Sequence, residues 1–331
     1  MPVTISDEPT YYHLLRSGYV IDPDQLLRYI NPRMMRRVPD GSEVLVMRDI
    51  GLGDVLMVSV AARALAEQWP KLKISLATDS RYLELFRHAA FLHRVVAIAS
   101  IEGRQEYVLD LRGWSERAPQ RHVRDRIEIF GVALGVEVRD FTIPYRVTPQ
   151  EQEVALTTLG DAPQPTVALA IRGSTRVRTW PMRHVQAFAA MAVERGWGVV
   201  LIDNSEHEFP VGGIKNLAGK LGMRGLAAVL AECDLVVAPD TGIVHLGEAV
   251  GTPTLAIYST IDPAVRLSHY QNVQVLWRGH DRNAAGQKEL TCCPCWDRGC
   301  HDLPCLEGMT PERVMVKACE MLEGASVAVG G

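Results

Sequence analysis

No stretch of this sequence approaches the ~20 consecutive apolar residues that would span a bilayer. The opening residues, MPVTISDEPTYYHLL, lack a basic start followed by an apolar core. The expectation is therefore a chain without a secretory leader, working in the cytoplasm. Nor is there an excess of positive charge. The formal net charge of −4 gives no electrostatic footprint for nucleic acid. There is no internal repeat of solenoid type. Two nucleotide-binding signatures are missing as well. Gly51-Leu52-Gly53-Asp54 follows a strand-like run, but Leu56 stands where a dinucleotide fingerprint needs its third glycine, and no Lys-Ser/Thr ending makes it a P-loop. That absence counts against a nucleotide-dependent epimerase or dehydrogenase.

What is present fits two α/β domains. A chain of 331 residues, 47% hydrophobic and 22% charged, has interior enough for two sheet cores. Residues 1–41 read as an irregular or helical preamble punctuated by Pro23, Pro32 and Pro39. Within it, Arg33, Arg36 and Arg37 flank Met34 and Met35, a cluster that suits either a solvated face or peripheral contact with an anionic membrane. From residue 42 to 150, strands at 43–47, 74–77, 95–98 and 107–111 alternate with helical patterns, the last at 124–134. Residues 151–165 are polar and proline-containing, a linker by composition. Alternation resumes over 166–308, with strands at 167–171, 199–203, 235–238, 254–257 and 273–276. Thr310-Pro311-Glu312 then opens a terminal helix within 309–331. Such alternation predicts parallel sheets with helices on both faces, a Rossmann-like doubly wound arrangement.

The stretch LVVAPDTGIVHLGEAVGTPTLAI, residues 235–257, organises the second half. It reads as strand, turn and helix, with Asp240-Thr241-Gly242 at the helix start and Gly251 at its end. Amide groups and the positive helix end there suit a phosphate, and Asp240 or Thr241 equally suits a helix cap. His245, one turn further, can face the same side as Asp240. A second loop, Arg172-Gly173-Ser174-Thr175-Arg176-Val177-Arg178-Thr179-Trp180-Pro181, sets small hydroxyls among guanidiniums that can fork onto phosphate oxygens. It follows a strand's carboxyl end, where α/β ligands bind. Asp54 in the first loop is, on its residues alone, a helix cap.

Taken together, D-T-G-x-x-H, the following G-T-P-T, Asp262-Pro263 and the Met47–Leu56 loop resemble the heptosyltransferase-like glycosyltransferases of glycosyltransferase family 9. The resemblance implies a GT-B fold, two facing Rossmann-like domains with a C-terminal helix packing back on the first. It implies an inverting transfer of a sugar, heptose from ADP-heptose, to a saccharide or glycolipid acceptor such as lipopolysaccharide core. Asp54, carried on the glycine loop of Gly51 and Gly53, would be the acceptor-side base. Arg178 falls where the family has lysine. With Ser174, Thr175, Arg176 and the amides of Thr241 and Gly242 it would hold the leaving diphosphate, needing no cofactor beyond the donor. Asp240 and His245 would belong to the donor site. Glu206, with Asp203 as second choice, would meet the donor ribose. The family's Gly-Gly-Pro loop is missing there, and Ser259-Thr260-Ile261 replaces the usual Gly-Pro-Thr. A non-catalytic nucleotide-sugar-binding relative would keep Asp240, Thr241 and Gly242 while tolerating loss of Asp54. Another donor or a protein acceptor would fit the same motifs.

Five of the seven cysteines lie between Cys292 and Cys305. Cys292, Cys295, Cys300 and Cys305 are candidate ligands for a structural metal, beside the alternatives of reduced thiols or a disulfide. The spacing is not that of paired C-x-x-C knuckles.

Overall fold

Runs such as EVLVM at 43–47 and LVVAP at 235–239 place apolar residues on both sides of the pleat, as strands covered on both faces require. The computed structural model describes residues 19–21, 27–30, 32–101, 105–295 and 299–329. Two compact units divide the chain between Tyr145 and Arg146.

In the first unit, β3 (Glu43–Met47) leads through the glycine loop into α1 (Leu52–Gln68), then β4 (Lys73–Thr78), β5 (Val95–Ala97) and β6 (Gln105–Asp110). A short helix, α2 (Trp114–Arg117), and α3 (Arg126–Leu134) follow. Sheet order is β1-β2-β6-β3-β4-β5, with β1 (Tyr19–Ile21) and β2 (Leu27–Ile30) preceding. The preamble is therefore not merely irregular or helical. Its YVI and LRYI runs form an antiparallel pair, with Tyr19 opposite Ile30, and β2 extends the sheet in parallel beside β6. Residues 1–18 of that preamble lie outside the described residues. A 3-10 turn, Pro32–Arg37, closes it, with Met35 buried and Arg36 and Arg37 exposed. Helix α1 is buried nearly all round from Val55 to Ala62, and it packs against α3. Its one polar residue in that run, Ser59, donates to the carbonyl of Leu56 at 2.7 Å and so costs little. Leu45, Met47, Ala77 and Val108, from β3, β4 and β6, form a core cluster.

The second unit opens where a linker was expected. Residues 149–159 are instead a helix, α4 (Pro149–Leu159), because Thr148 and Glu151 form a reciprocal capping box with Pro149 in the first turn. Its polar face misled composition, while Ala155 and Leu159 are buried and the helix docks on α6 (Met223–Ala231). Glu151 also forms a two-pronged pair with Arg224 of α6, one contact at 2.6 Å. The hydrogen bonds of Arg224, working against burial, hold the Glu151 carboxyl down at about 2 instead of 4.5. A depressed carboxylate contributes stability above its unfolded value and loses it as pH falls through the folded one. Glu151→Gln should therefore be less stable than wild type at neutral pH, and the gap should close between pH 4.5 and about 2 in urea titrations. A gap unchanged across that window would show that the pair contributes nothing electrostatic.

The sheet of this unit is wholly parallel in its pairings, ordered β12-β11-β10-β7-β8-β9. Its strands are β7 (Thr166–Ala170), β8 (Gly198–Ile202), β9 (Ile214–Asn216), β10 (Leu235–Pro239), β11 (Thr254–Tyr258) and β12 (Val273–Trp277). Helices α5 (Met182–Glu194), α7 (Gly242–Val250) and the short α8 (Ala264–Leu267) and α9 (Pro304–Glu307) accompany them. Every residue of β7, β8, β10 and β11 is buried, each large apolar side chain contributing about 1.5–3 kcal/mol. The terminal helix α10 (Pro311–Val329) buries Val314, Met315 and Ala318, and its packing partners α5 and β10 lie within this same unit. Among the described residues, no helix is long and apolar enough to cross a membrane.

Candidate active site

In each sheet the chain leaves the central strand to one side and later returns on the other. In the first unit β4 and β5 extend from β3 one way and β6 lies the other way. In the second, β8 and β9 extend from β7 and β10 lies opposite. Loops at the carboxyl ends of two such central neighbours diverge and leave a crevice, the usual place for a ligand. The sequence motifs fall on those loops.

At the first crevice the β3 loop supplies Arg48, Gly51 and Asp54. Gly51 turns the chain at φ +87°, and a Cβ there would come within 3.3 Å of an Asp54 oxygen. Glycine is thus required both for the turn and for the closeness of the carboxylate. Gly53 is buried in the first turn of α1. Asp54 makes ion pairs beyond any cap. Its Oδ2 accepts from Arg48 at 2.5 Å and its Oδ1 from Arg126 at 2.6 Å. Arg48, only 2% exposed, also forks onto Glu116 at 3.1 and 3.3 Å and donates to the carbonyl of Leu111. Burial pushes Glu116 up, but Arg48 and Arg126 outweigh it and hold the carboxyl below its ordinary value. Burial likewise opposes the charge on Arg48, and Asp54 and Glu116 overcome it. Tyr82, from the 3-10 turn after β4, stands against the backbone of Gly51. Burial raises its hydroxyl, with the Asp54 charge adding to the rise. Arg48 could have been noticed in the sequence, lying directly after a strand and six residues before Asp54. Glu116 and Arg126 could not, since only strand order brings the loop after β6 to this place.

At the second crevice Asp240 directly follows β10, wholly buried, and it accepts from Arg178 at 2.7 Å. Burial pushes its carboxyl up, but Arg178 and then Arg266 of α8 more than reverse this and keep it ionised. Thr241, not Asp240, caps α7, its hydroxyl accepting from the amide of Ile243 at 3.1 Å. Gly242 begins the helix. Ser174 accepts from Arg178 at 3.0 Å, so hydroxyl, guanidinium and helix start are brought together. Gly173 permits this, because a Cβ there would meet the Arg178 carbonyl oxygen at 2.4 Å. Ser174 and Thr175 are exposed on the same loop. Cationic side chains, hydroxyls and helix-start amides in one crevice can hold a polyanion.

Other expected donor residues are placed differently. Arg176 donates to the carbonyls of Cys300 and His301, at 3.1 and 2.6 Å, and so clasps the cysteine segment. His245 is buried with its Nδ1 2.6 Å from the Tyr270 hydroxyl, one turn beneath Asp240. Asp203 is engaged by Arg172 through two contacts of 3.0 Å, which leaves Glu206 exposed on the loop after β8. Arg266 carried no spacing signal that would have singled it out, and although Arg172 and Asp203 each lay in a motif, nothing in the sequence paired them.

The cysteine segment gives the metal alternative no support. Among the described residues, no three or more of His, Cys, Asp and Glu are grouped to hold a metal ion. Cys292 is exposed, whereas the two buried thiols that meet are Cys293 and Cys305. The hydrogen bond from Cys293, with the Cys305 and Leu306 amides and Arg278, holds the Cys305 thiol down at about 7 against burial. The same contact, with burial, pushes Cys293 up. Contacts with the loop after β11 hold the segment: the Cys295 amide donates to the Thr260 carbonyl, and the Cys293 sulfur lies 3.6 Å from the Ser259 carbonyl oxygen.

The Asp-Thr-Gly helix start and the arginine loop fall within a wider likeness, and the glycine loop precedes it. Residues 84–296 match the model of glycosyltransferase family 9 (heptosyltransferase). Lipopolysaccharide heptosyltransferase 1 of Pseudomonas aeruginosa is 28% identical over 176 residues, 46% of this chain and 47% of that protein. The chain spans about half the length, or less, of the curated relatives it matches. Among solved structures, Escherichia coli ADP-heptose lipopolysaccharide heptosyltransferase II aligns with a TM-score of 0.65 at 15% identity, covering 86% of this chain and 99% of that one. The iron-containing dodecameric glycosyltransferase TibC of enterotoxigenic E. coli H10407 aligns with a TM-score of 0.68 at 14% identity, covering 87% and 78%. These structures share the two-domain Rossmann-like fold termed GT-B. With the family model covering well over half of its residues, the chain belongs to glycosyltransferase family 9.

Proposed function

We propose that this chain is an inverting glycosyltransferase that moves heptose from ADP-heptose to a saccharide acceptor of the lipopolysaccharide-core type. The observation that carries the reading is that each unit supplies one chemistry at its own crevice: a carboxylate held by two arginines in the first, and a cationic helix start in the second. Family membership supplies the reaction type, and names such as that of E. coli ADP-heptose lipopolysaccharide heptosyltransferase II supply the donor and acceptor.

The second crevice holds the donor diphosphate. Its oxygens lie against the Thr241 and Gly242 amides, where the helix dipole favours negative charge, with Ser174 and Thr175 adding hydroxyl donors. Arg178 is the cation for the leaving group. Its fork is already oriented by Asp240 and Ser174, so little reorganisation accompanies charge build-up on the departing ADP. Arginine can do here what lysine does elsewhere in the family, because its position is set by a buried partner. Arg176 acts at one remove, bracing the loop through the cysteine segment.

At the first crevice Asp54 accepts the acceptor hydroxyl proton as that oxygen attacks the anomeric carbon. A new carbon–oxygen bond forms while the bond to the ADP oxygen breaks, and the configuration inverts in one displacement. The reading is tested by incubating purified protein with ADP-heptose and truncated core saccharides and following transfer by mass spectrometry. Transfer from ADP-heptose in preference to UDP- or GDP-sugars is expected. Tight nucleotide-sugar binding with no turnover on any acceptor would instead identify a binding protein.

A further inference from the structure

We infer that Glu116 is a positioning residue that keeps Asp54 competent as a base by balancing the two arginines around it. This rests on the role proposed above for Asp54. Groups from several elements face Asp54. Arg48 comes from the end of β3, Tyr82 from the turn after β4, Glu116 from α2 after β6, and Arg126 from the first turn of α3. Asp49 lies next to Arg48 along the chain and adds to its field.

Two guanidiniums at 2.5 and 2.6 Å engage both oxygens of Asp54. Left alone, such a pair would hold the carboxylate so firmly that it would take a proton poorly. Glu116 changes the balance in two ways. Its fork on Arg48 shares the same nitrogen that Asp54 uses, at 3.1 Å against 2.5 Å. Its charge also lies 4.0 Å from Arg126, so two carboxylates face two guanidiniums. Removing the Glu116 charge leaves a net positive surround, which stabilises the Asp54 carboxylate and weakens it as a proton acceptor. Removing Arg126 does the opposite. Glu116 is 42% exposed, so its replacement does not open a cavity.

The test reads Asp54 directly and through turnover. Protein labelled with ¹³C at aspartate carboxyls is titrated by NMR, the Asp54 signal being identified by its absence in D54N. In Glu116→Gln the Asp54 midpoint should fall by about one pH unit, the size of one nearby charge partly screened by water. In Arg126→Gln it should rise. Glu116→Asp, which keeps the charge, should recover most of the shift. The acidic limb of the kcat/KM profile with ADP-heptose should move in the same directions, with kcat falling in E116Q. An Asp54 midpoint unmoved in a folded E116Q protein would overturn the inference and leave Glu116 a packing residue. A fully active D54N would refute the base assignment itself, which separates that failure from this one.

Discussion

Asp54→Asn is expected to lower heptose transfer by about 10²–10⁴-fold while leaving ADP binding intact, the range spanned by loss of a positioned general base. Asparagine keeps the shape of the side chain and one acceptor oxygen, so Arg48 or Arg126 retains a partner. What it loses is the capacity to take a proton. Asp54→Ala is a harsher change. It leaves a 2%-exposed arginine and a 12%-exposed one without their shared carboxylate. Removing one partner of such a set costs about 3 kcal/mol, so the alanine variant should also melt early. Comparing the two separates chemistry from stability. Asparagine-variant turnover equal to wild type would return Asp54 to a structural ion pair in the first turn of α1. There its charge would still be favoured by the helix dipole.

A second large effect is expected at Asp240. Asp240→Ala removes the wholly buried anion between Arg178 and Arg266 and should destabilise the second unit by about 3 kcal/mol. Arg178 is 30% exposed, so water relieves part of the penalty and the larger values seen for fully buried pairs are not expected. Nucleotide affinity should fall with it, since Arg178 loses the contact that aims it. Asp240→Asn keeps an acceptor for Arg178 and should be milder. The pH dependence has a definite sign. Arg178 and Arg266 hold the folded-state carboxyl below its ordinary value. The contribution is therefore complete above the ordinary carboxylate range and is lost as pH falls through the lower folded value. Urea titrations from neutral to acid should show a wild-type curve that falls and an Asp240→Asn curve that is flatter. Parallel curves would show that Asp240 carries no folded-state charge coupling.

How much of this was legible in the sequence depends on whether a feature is local. Buried strands such as Leu235–Pro239 announce themselves, because five consecutive residues suited to burial admit few other readings. The helix start at Asp240-Thr241-Gly242 was equally visible, although which of Asp240 and Thr241 is the cap was not. A one-residue difference decides it: Thr241 turns back onto Ile243 while Asp240 points at Arg178. Composition failed over residues 149–159, where polar residues looked like a linker. A capping box is a local signal, but the burial of Ala155 and Leu159 depends on where α6 lies. The partners of Asp54 could not be read at all. Glu116 and Arg126 lie 62 and 72 residues further along, and only the return of β6 beside β3 assembles them.

The bracing of the arginine loop bears on how relatives of this chain can be recombined. Arg176 grips the carbonyls of Cys300 and His301, Ser259 donates to the carbonyl of Val177, and the Trp180 indole donates to the carbonyl of Met309. Residues 172–181 and the described residues of 292–295 and 299–309 thus inherit their shape from one another although the segment 182–291 separates them. A graft that swaps the first segment to change donor preference, and keeps the second from its host, would transplant the ligand contacts without the scaffold that sets them. The transferable unit is the two segments together, with Ser259 as the hinge-pin between them.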